Sequence, residues 1–160
     1  MRIIKKHINF KEKIFHIKAE LSENSDDVWN LYHILDKGDY VVGWVQRKIA
    51  VVGVTGKQSQ EKKAMKVMIK VTGFDYQTDN DNLRINGIIA RESKWIGLGQ
   101  HQAMSISSPQ TFEIIKRVFD SEHVRRLKEA TAEAQAGQVL AIVMEEGIAQ
   151  IYLVSNGNCR

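Results

Sequence analysis

Apolar residues first settle into a helical rhythm at Val28, Leu31, Tyr32 and Leu35, spaced i, i+3, i+4, i+7 so that they stack on one buried face. Ser25 precedes them as a cap. Asp26 and Asp27 occupy the first turn, where the helix dipole favours carboxylates, and Gly38 supplies a left-handed stop. The pattern predicts a helix over 26–37. On either side of it the period is two. Phe15 and Ile17 alternate with His16 and Lys18, giving a strand over 13–19 that is apolar on one face and wet on the other. It turns back through 9–11 to a first strand over 2–8.

After the helix, 40–72 reads as two strands around a polar tip at 53–61, a long hairpin. A cluster of Asp and Asn over 77–82 marks a turn into a strand over 83–90. Gly97 and Gly99 bracket a loop before a strand over 101–106. Pro109 breaks the chain, and 112–118 reads as a further strand. Asp120 or Ser121 caps a second helix over 121–135, with Val124, Leu127 and Thr131 on one face and Gly137 ending it. Two almost uniformly apolar strands follow, 139–144 and 148–154, in the pattern of strands covered on both sides. A lone hairpin cannot cover itself, so the expectation is that a second, incomplete domain opens here, with domains at 1–135 and 136–160. Six or seven short strands with a packed helix predict a mainly β fold with helices (α+β), a small, bent antiparallel barrel. Sm-like and oligonucleotide-binding barrels both fit the pattern.

Composition narrows the class. At 160 residues and 43% hydrophobic the chain supports a folded core. Cys159 is the single cysteine, which leaves no intrachain disulfide or cysteine-based zinc site and favours a reducing compartment. No uncharged apolar run approaches the ~18 residues of a membrane span, and the first ten residues lack the apolar stretch of a signal peptide. The expectation is a soluble, cytoplasmic protein without membrane contact. The formal net charge is only +4, yet between Trp44 and Thr72 seven Lys and Arg face the single Glu61. A basic hairpin of this kind suits a polyanion, RNA first.

Specific blocks carry a family resemblance. DVWNLYHILDKGD from Asp27, VTGFDYQTDNDNLRINGIIARES from Val71 and GLGQHQAMSI from Gly97 together resemble the N-terminal domain of the Pelota family, and AIVMEEGIAQIYLV from Ala141 resembles the opening strands of that family's central domain. The resemblance implies an Sm-like N-terminal fold followed by the start of a second domain. It also implies a role in ribosome rescue and mRNA surveillance, in no-go and non-stop decay. In that role the domain enters the empty A site of a stalled ribosome and faces the decoding centre, with a tip between two strands reaching the mRNA channel. The implied partners are the rRNA of the small ribosomal subunit, mRNA, and a translational GTPase related to the elongation factors, whose contact surface lies mostly on other domains. The family is the paralogue of the class-1 release factor of eukaryotes and archaea. That factor's stop-codon motif Asn-Ile-Lys-Ser and its hydrolytic Gly-Gly-Gln do not occur in this chain.

Candidate chemistry centres on the hairpin. Arg47, Lys48, Lys57, Lys62, Lys63, Lys66 and Lys70 are each able to neutralise a phosphate without reading sequence, and Gln58 and Ser59 would add hydrogen bonds at the tip. The plainer reading is that such lysines keep an exposed sheet soluble. The segment GVTGKQS is not a phosphate-binding P-loop, because only two residues separate Gly53 from Gly56 and Gln58 follows Lys57 where Ser or Thr is needed. Asp75, Asp79 and Asp81 are the metal candidates, set against a polar turn. The five histidines, His7, His16, His33, His101 and His123, do not pair at metal spacing, and His16 and His33 read as surface or rim residues. Trp29, Trp44 and Trp95 read as core, with stacking on bases as the other use of Trp44 and Trp95. No catalytic set assembles from spacing. The chain therefore reads as a binding module without a cofactor and not as an enzyme. The alternatives are a divalent-metal-dependent mRNA endonuclease, an activity proposed for the Pelota family, and an unrelated Sm-like RNA-binding module.

Overall fold

The computed structural model describes residues 1–22, 26–52, 58–92, 96–131, 139–155 and 158–159. Strand β1 (Arg2–Asn9) turns through Asn9, whose Oδ1 accepts the N–H groups of Lys11 (3.0 Å) and Glu12 (3.3 Å), into β2 (Ile14–Glu20). Helix α1 (Asp26–Ile34) follows. Its cap position at Ser25 lies outside the described residues, but Asp27 is buried and accepts the backbone N–H (2.7 Å) and hydroxyl (2.5 Å) of Ser22. Val28, Leu31 and Leu35 are buried as the spacing requires, Tyr32 is half-buried, and Ile34 joins them.

The helix stops before the predicted residue 37. Leu35 still donates to Leu31 O (3.1 Å), but the N–H of Asp36 goes instead to Asp39 Oδ2 (2.8 Å). Once that donor leaves the helical ladder, the chain unwinds through Gly38 at φ +96°, and Gly38 N–H donates to Val71 O at 2.8 Å.

Strand β3 (Tyr40–Val52) has the predicted bounds, whereas β4 (Gln58–Gln77) runs past the predicted 62–72 at both ends. A 3-10 turn at Thr78–Asn80 leads to β5 (Asn82–Ile89), then β6 (His101–Ser107) and β7 (Thr111–Lys116). Among the described residues these form a seven-stranded antiparallel sheet in the order β1-β2-β7-β3-β4-β5-β6. The sheet bends sharply. β4 carries a register shift between Val71 and Gly73, and β6 curls back onto β3 although two strands lie between them. A Cβ on Gly43 of β3 would sit 2.6 Å from Met104 Sδ of β6, so a bare backbone is what lets the sheet close there. Inside lie Phe15, Ile17, Val41, Ile69, Ile85 and Phe112, with α1 laid across them. This is the bent antiparallel barrel with a packed helix, α+β, that the pattern and the resemblance predict.

Helix α2 (Ser121–Thr131) is capped by Asp120, whose Oδ1 accepts the N–H groups of Glu122 (2.9 Å) and His123 (3.1 Å). It packs beside α1 through Leu127 and Ala130, with Arg126 donating to His33 O at 3.1 Å. The predicted end of this helix, at 132–137, lies outside the described residues.

The last strands, β8 (Val139–Glu145), β9 (Ile148–Ser155) and β10 (Asn158–Cys159), form a separate three-stranded sheet. Here the expectation of strands covered on both sides is corrected. Ile142 and Val143, which point to opposite faces, are each more than half exposed, as are Leu140, Met144, Ile148 and Ile151. Among the described residues nothing stacks on this small sheet, and two faces need two neighbours.

Candidate nucleic-acid interface

The basic segment is a two-stranded arm. β3 and β4 pair without interruption from Tyr40↔Lys70 to Val52↔Gln58. β7 holds β3 only at 40–42, and β5 holds β4 only from Ile69 onward. Over 46–52 and 58–64 the two strands pair only with each other among the described residues, a ribbon of about 20 Å at ~3.3 Å per residue. The predicted tip is accordingly narrower than 53–61. Residues 58–61 are strand, because the ladder runs on to Val52↔Gln58, and Gln58 and Ser59 belong to β4 and not to the turn. Lys57 lies outside the described residues, as do the side chains of Gln58 and Ser59.

Register decides which cations act together. Residues directly opposite in an antiparallel ladder share a face. Lys48 stands opposite Lys62, and Arg47 stands opposite Lys63, so the arm carries two like-charged pairs back to back. Arg47 and Lys63 continue the face that carries the Val45/Met65 pair into the core, past the point where the core ends. Lys48, Lys62 and Lys63 are exposed and Arg47 is half-buried. Like charges set opposite each other cost stability. A cationic ribbon with both faces charged is chemically suited to a polyanion that runs along it.

Lys66 does not belong to that set. Its Nζ lies 2.7 Å from Glu113 Oε1 on β7, at the barrel edge, while His16 Nε2 approaches Glu113 Oε2 at 3.3 Å. Lys66, expected as a phosphate ligand, thus stands exposed at the barrel edge with an ion pair to Glu113. Burial pushes the Glu113 carboxyl up, but the hydrogen bonds from Lys66 and His16 outweigh it and hold the group below its ordinary value of 4.5. A carboxylate lowered in the folded state contributes stability that is complete above the unfolded value and lost as pH falls through the folded one. Glu113→Gln should therefore cost up to about 1 kcal/mol at pH 7, and the difference from the parent should shrink as pH falls below 4.5 and through the lowered folded value. Denaturant midpoints measured across pH 3–7 check this, and a pH-independent difference would contradict it.

The acidic candidates fall apart. Asp79 sits in the 3-10 turn, Asp81 closes it at φ +45° and accepts the Tyr76 hydroxyl at 2.7 Å, and Asp75 is exposed opposite Arg84. Among the described residues no three His, Cys, Asp or Glu side chains are grouped to hold a metal ion. Trp29, expected in the core, is instead half-buried outside the core cluster, packed against Tyr32, His33 and Tyr76. Trp44 contradicts its assignment to the core. It lies on the outer face opposite Lys66 and is 55% exposed, because Val41, Gly43 and Val45 take the inward positions. Trp95 lies outside the described residues. His33 is exposed, and burial together with Arg126 lowers its pKa.

One ionic centre was missed altogether. Lys116, 1% exposed, donates to Ile34 O (2.8 Å), to Asp36 Oδ2 (2.9 Å) and to Asp39 Oδ2. His123 Nε2 reaches the same Asp36 oxygen at 2.7 Å. Burial raises the Asp39 carboxyl above its ordinary value, and the Lys116 hydrogen bond offsets only part of that rise. Asp36 is exposed; its partial burial also pushes its carboxyl up, but the hydrogen bonds from Lys116 and His123 outweigh that and hold it below its ordinary value. The centre joins the end of α1, the root of β3 and the start of α2, and so fixes where the basic arm leaves the barrel. The signal was present in the alternation Phe112, Ile114, Lys116, which puts the lysine on the core face.

Comparison with known proteins gives a consistent result. The family model described as the Pelota N-terminal domain matches residues 1–131. The pelota homologue of Methanothrix thermoacetophila is 31% identical over 154 residues, covering 94% of this chain and 42% of that protein. The human pelota homologue is 24% identical, covering 97% and 40%. Among solved structures, Thermoplasma acidophilum Pelota superposes with a TM-score of 0.69 at 23% identity, over 97% of this chain and 41% of that one. Saccharomyces cerevisiae Dom34, a translation termination-like factor involved in RNA quality control pathways and interacting with Hbs1, gives 0.65 at 22%, over 99% and 41%. Archaeal Pelota, in a model of its ribosome-bound form with ABCE1, gives 0.65 at 26%, over 100% and 44%. The chain thus spans about two fifths of the length of these relatives. No helix among the described residues is long and apolar enough to cross a membrane.

Proposed function

The chain belongs to the Pelota family, and we propose that it serves as the RNA-facing module of a ribosome-rescue and mRNA-surveillance factor in the cytoplasm. In this reading it enters the empty A site of a stalled ribosome and lays its basic arm along rRNA and mRNA near the decoding centre. The observation that carries the proposal is the pairing of Arg47 with Lys63 and Lys48 with Lys62 on opposite faces of a projecting ribbon. Cations aimed at phosphates bind without reading bases, and a sensor of stalls needs that, because a ribosome stalls at any codon. The ribosome-bound archaeal Pelota and the Hbs1-binding Dom34 support a ribosomal site and a GTPase partner acting with the rest of such a factor. The division into an N-terminal domain over 1–135 and the start of a second over 136–160 is part of the same proposal.

The module acts by binding, without cofactor or metal, and cleaves nothing. On incubation with stalled-ribosome mRNA in Mg²⁺ or Mn²⁺, the chain should give no cutting above background. It should co-sediment with ribosomes whose A site is empty and be displaced when tRNA fills that site. Equal co-sedimentation with filled and empty A sites would reject the proposal. Metal-dependent cutting abolished by Asp75→Ala or Asp81→Ala would replace it with the endonuclease reading.

A further inference from the structure

Trp44 is the residue that the phosphate-binding reading leaves without a use. Burying a tryptophan is among the most favourable things a small barrel can do, yet this one is 55% exposed on the outer face of β3. It stands at the root of the basic arm, directly opposite Lys66 and on the same face as the Lys48–Lys62 pair. Four residues along one strand separate Trp44 from Lys48, about 13 Å, a distance that a short run of extended single-stranded RNA spans.

Beside Trp44 the same face holds a cleft of about 290 Å³. Val42, Val67 and Met68 form its apolar wall, and Lys66, Arg91, Glu92 and Glu113 are its charged groups. Val42 is two positions from Trp44 on the same strand, and Lys66 is its cross-strand partner. The two cations and two carboxylates balance, so the cleft offers donors and acceptors without net attraction for phosphate. That composition fits the edge of a base. The net positive charge lies farther out, at Lys48 and Lys62, where a backbone would run.

We propose that Trp44 and this cleft form a base-stacking site for single-stranded RNA. One unpaired nucleotide stacks on the indole, and the neighbouring phosphates pass over Lys48 and Lys62. The site rests on the reading of the arm as an RNA contact and adds to it a contact with a base. Stacking tolerates any base, because each presents a π face, so the site holds RNA without choosing a codon.

The test uses the whole chain with two single-stranded RNA oligomers of equal length and charge, one normal and one carrying abasic positions throughout. The parent should bind the normal oligomer about 5- to 150-fold more tightly, the ratio that stacking of one base on an aromatic ring gives. Trp44→Ala should remove that ratio while leaving the salt dependence unchanged. Lys48→Gln with Lys62→Gln should do the reverse, flattening the salt dependence and keeping the ratio. In a Trp29→Phe/Trp95→Phe variant, where Trp44 is the remaining tryptophan, normal RNA should quench the emission and abasic RNA should not. Equal binding of both oligomers with unquenched Trp44 would overturn the stacking site and leave the phosphate reading standing, and it would point to a protein as the partner of this face. Binding of neither oligomer would overturn both together.

Discussion

Neutralising the arm should abolish most ribosome binding while leaving the fold in place. In a variant with Arg47, Lys48, Lys62 and Lys63 all changed to Gln, affinity for empty-A-site ribosomes should fall on the order of 100-fold or more at physiological salt. The slope of log affinity against log salt should shrink by about 3, since each lost phosphate contact removes ~0.7–0.9. The loss should be the same whatever codon stands in the A site, because phosphates carry no sequence. Stability should stay within about 1 kcal/mol of the parent: the four side chains lie beyond the core, and the substitution relieves the like-charge pairs Arg47↔Lys63 and Lys48↔Lys62. Parallel measurements of binding and of denaturant unfolding check both halves. Unchanged affinity with an unchanged salt slope would show that the arm is charged only to stay soluble.

Lys116→Ala should be among the most destabilising single changes available, at about 3–5 kcal/mol. The substitution leaves the buried carboxylate of Asp39 without its cation and leaves Ile34 O without a donor. The loss would consume much of a typical total stability of about 5–15 kcal/mol. Asp39 also anchors the corner from which β3 departs, through Val71 N–H to Asp39 O at 2.8 Å and its own side chain to Asp36 N–H at 2.8 Å. The damage should therefore spread to the root of the arm. Lys116→Met combined with Asp39→Asn should recover a substantial part of the loss, because removing both charges ends the uncompensated burial that removing one creates. Urea unfolding of the parent, the single and the double variants at pH 7 measures this. A cost below about 1 kcal/mol for Lys116→Ala, or a double variant no better than the single, would mean that the centre is not an interdependent unit.

Local periodicity determined a good deal. The Val28, Leu31, Leu35 stripe, the alternation in β2, β5 and β7, the left-handed stop at Gly38 and the cap at Asp120 all follow from short-range sterics and from which side chains leave water. Those forces act within a few residues, so they can be read from a few residues. The concentration of charge between Trp44 and Thr72 is likewise a property of the sequence, and it pointed to the arm without any coordinates.

What the tertiary structure decided is everything that depends on a partner distant along the chain. Helix α1 ends at Ile34 because Asp39 takes the Asp36 N–H and Lys116, some eighty residues on, takes the last carbonyl. Lys66 is paired with Glu113 on another strand, which its position in the sequence does not show. Trp44 faces out because the register of β3 gives the inward positions to Val41, Gly43 and Val45, and Gly43 is kept bare by Met104 across the curled sheet. A residue's own chemistry says what it is able to do. Which atoms stand within about 3 Å of it, and so whether its charge is met and its ring is covered, is set only when strands far apart in sequence are brought into register.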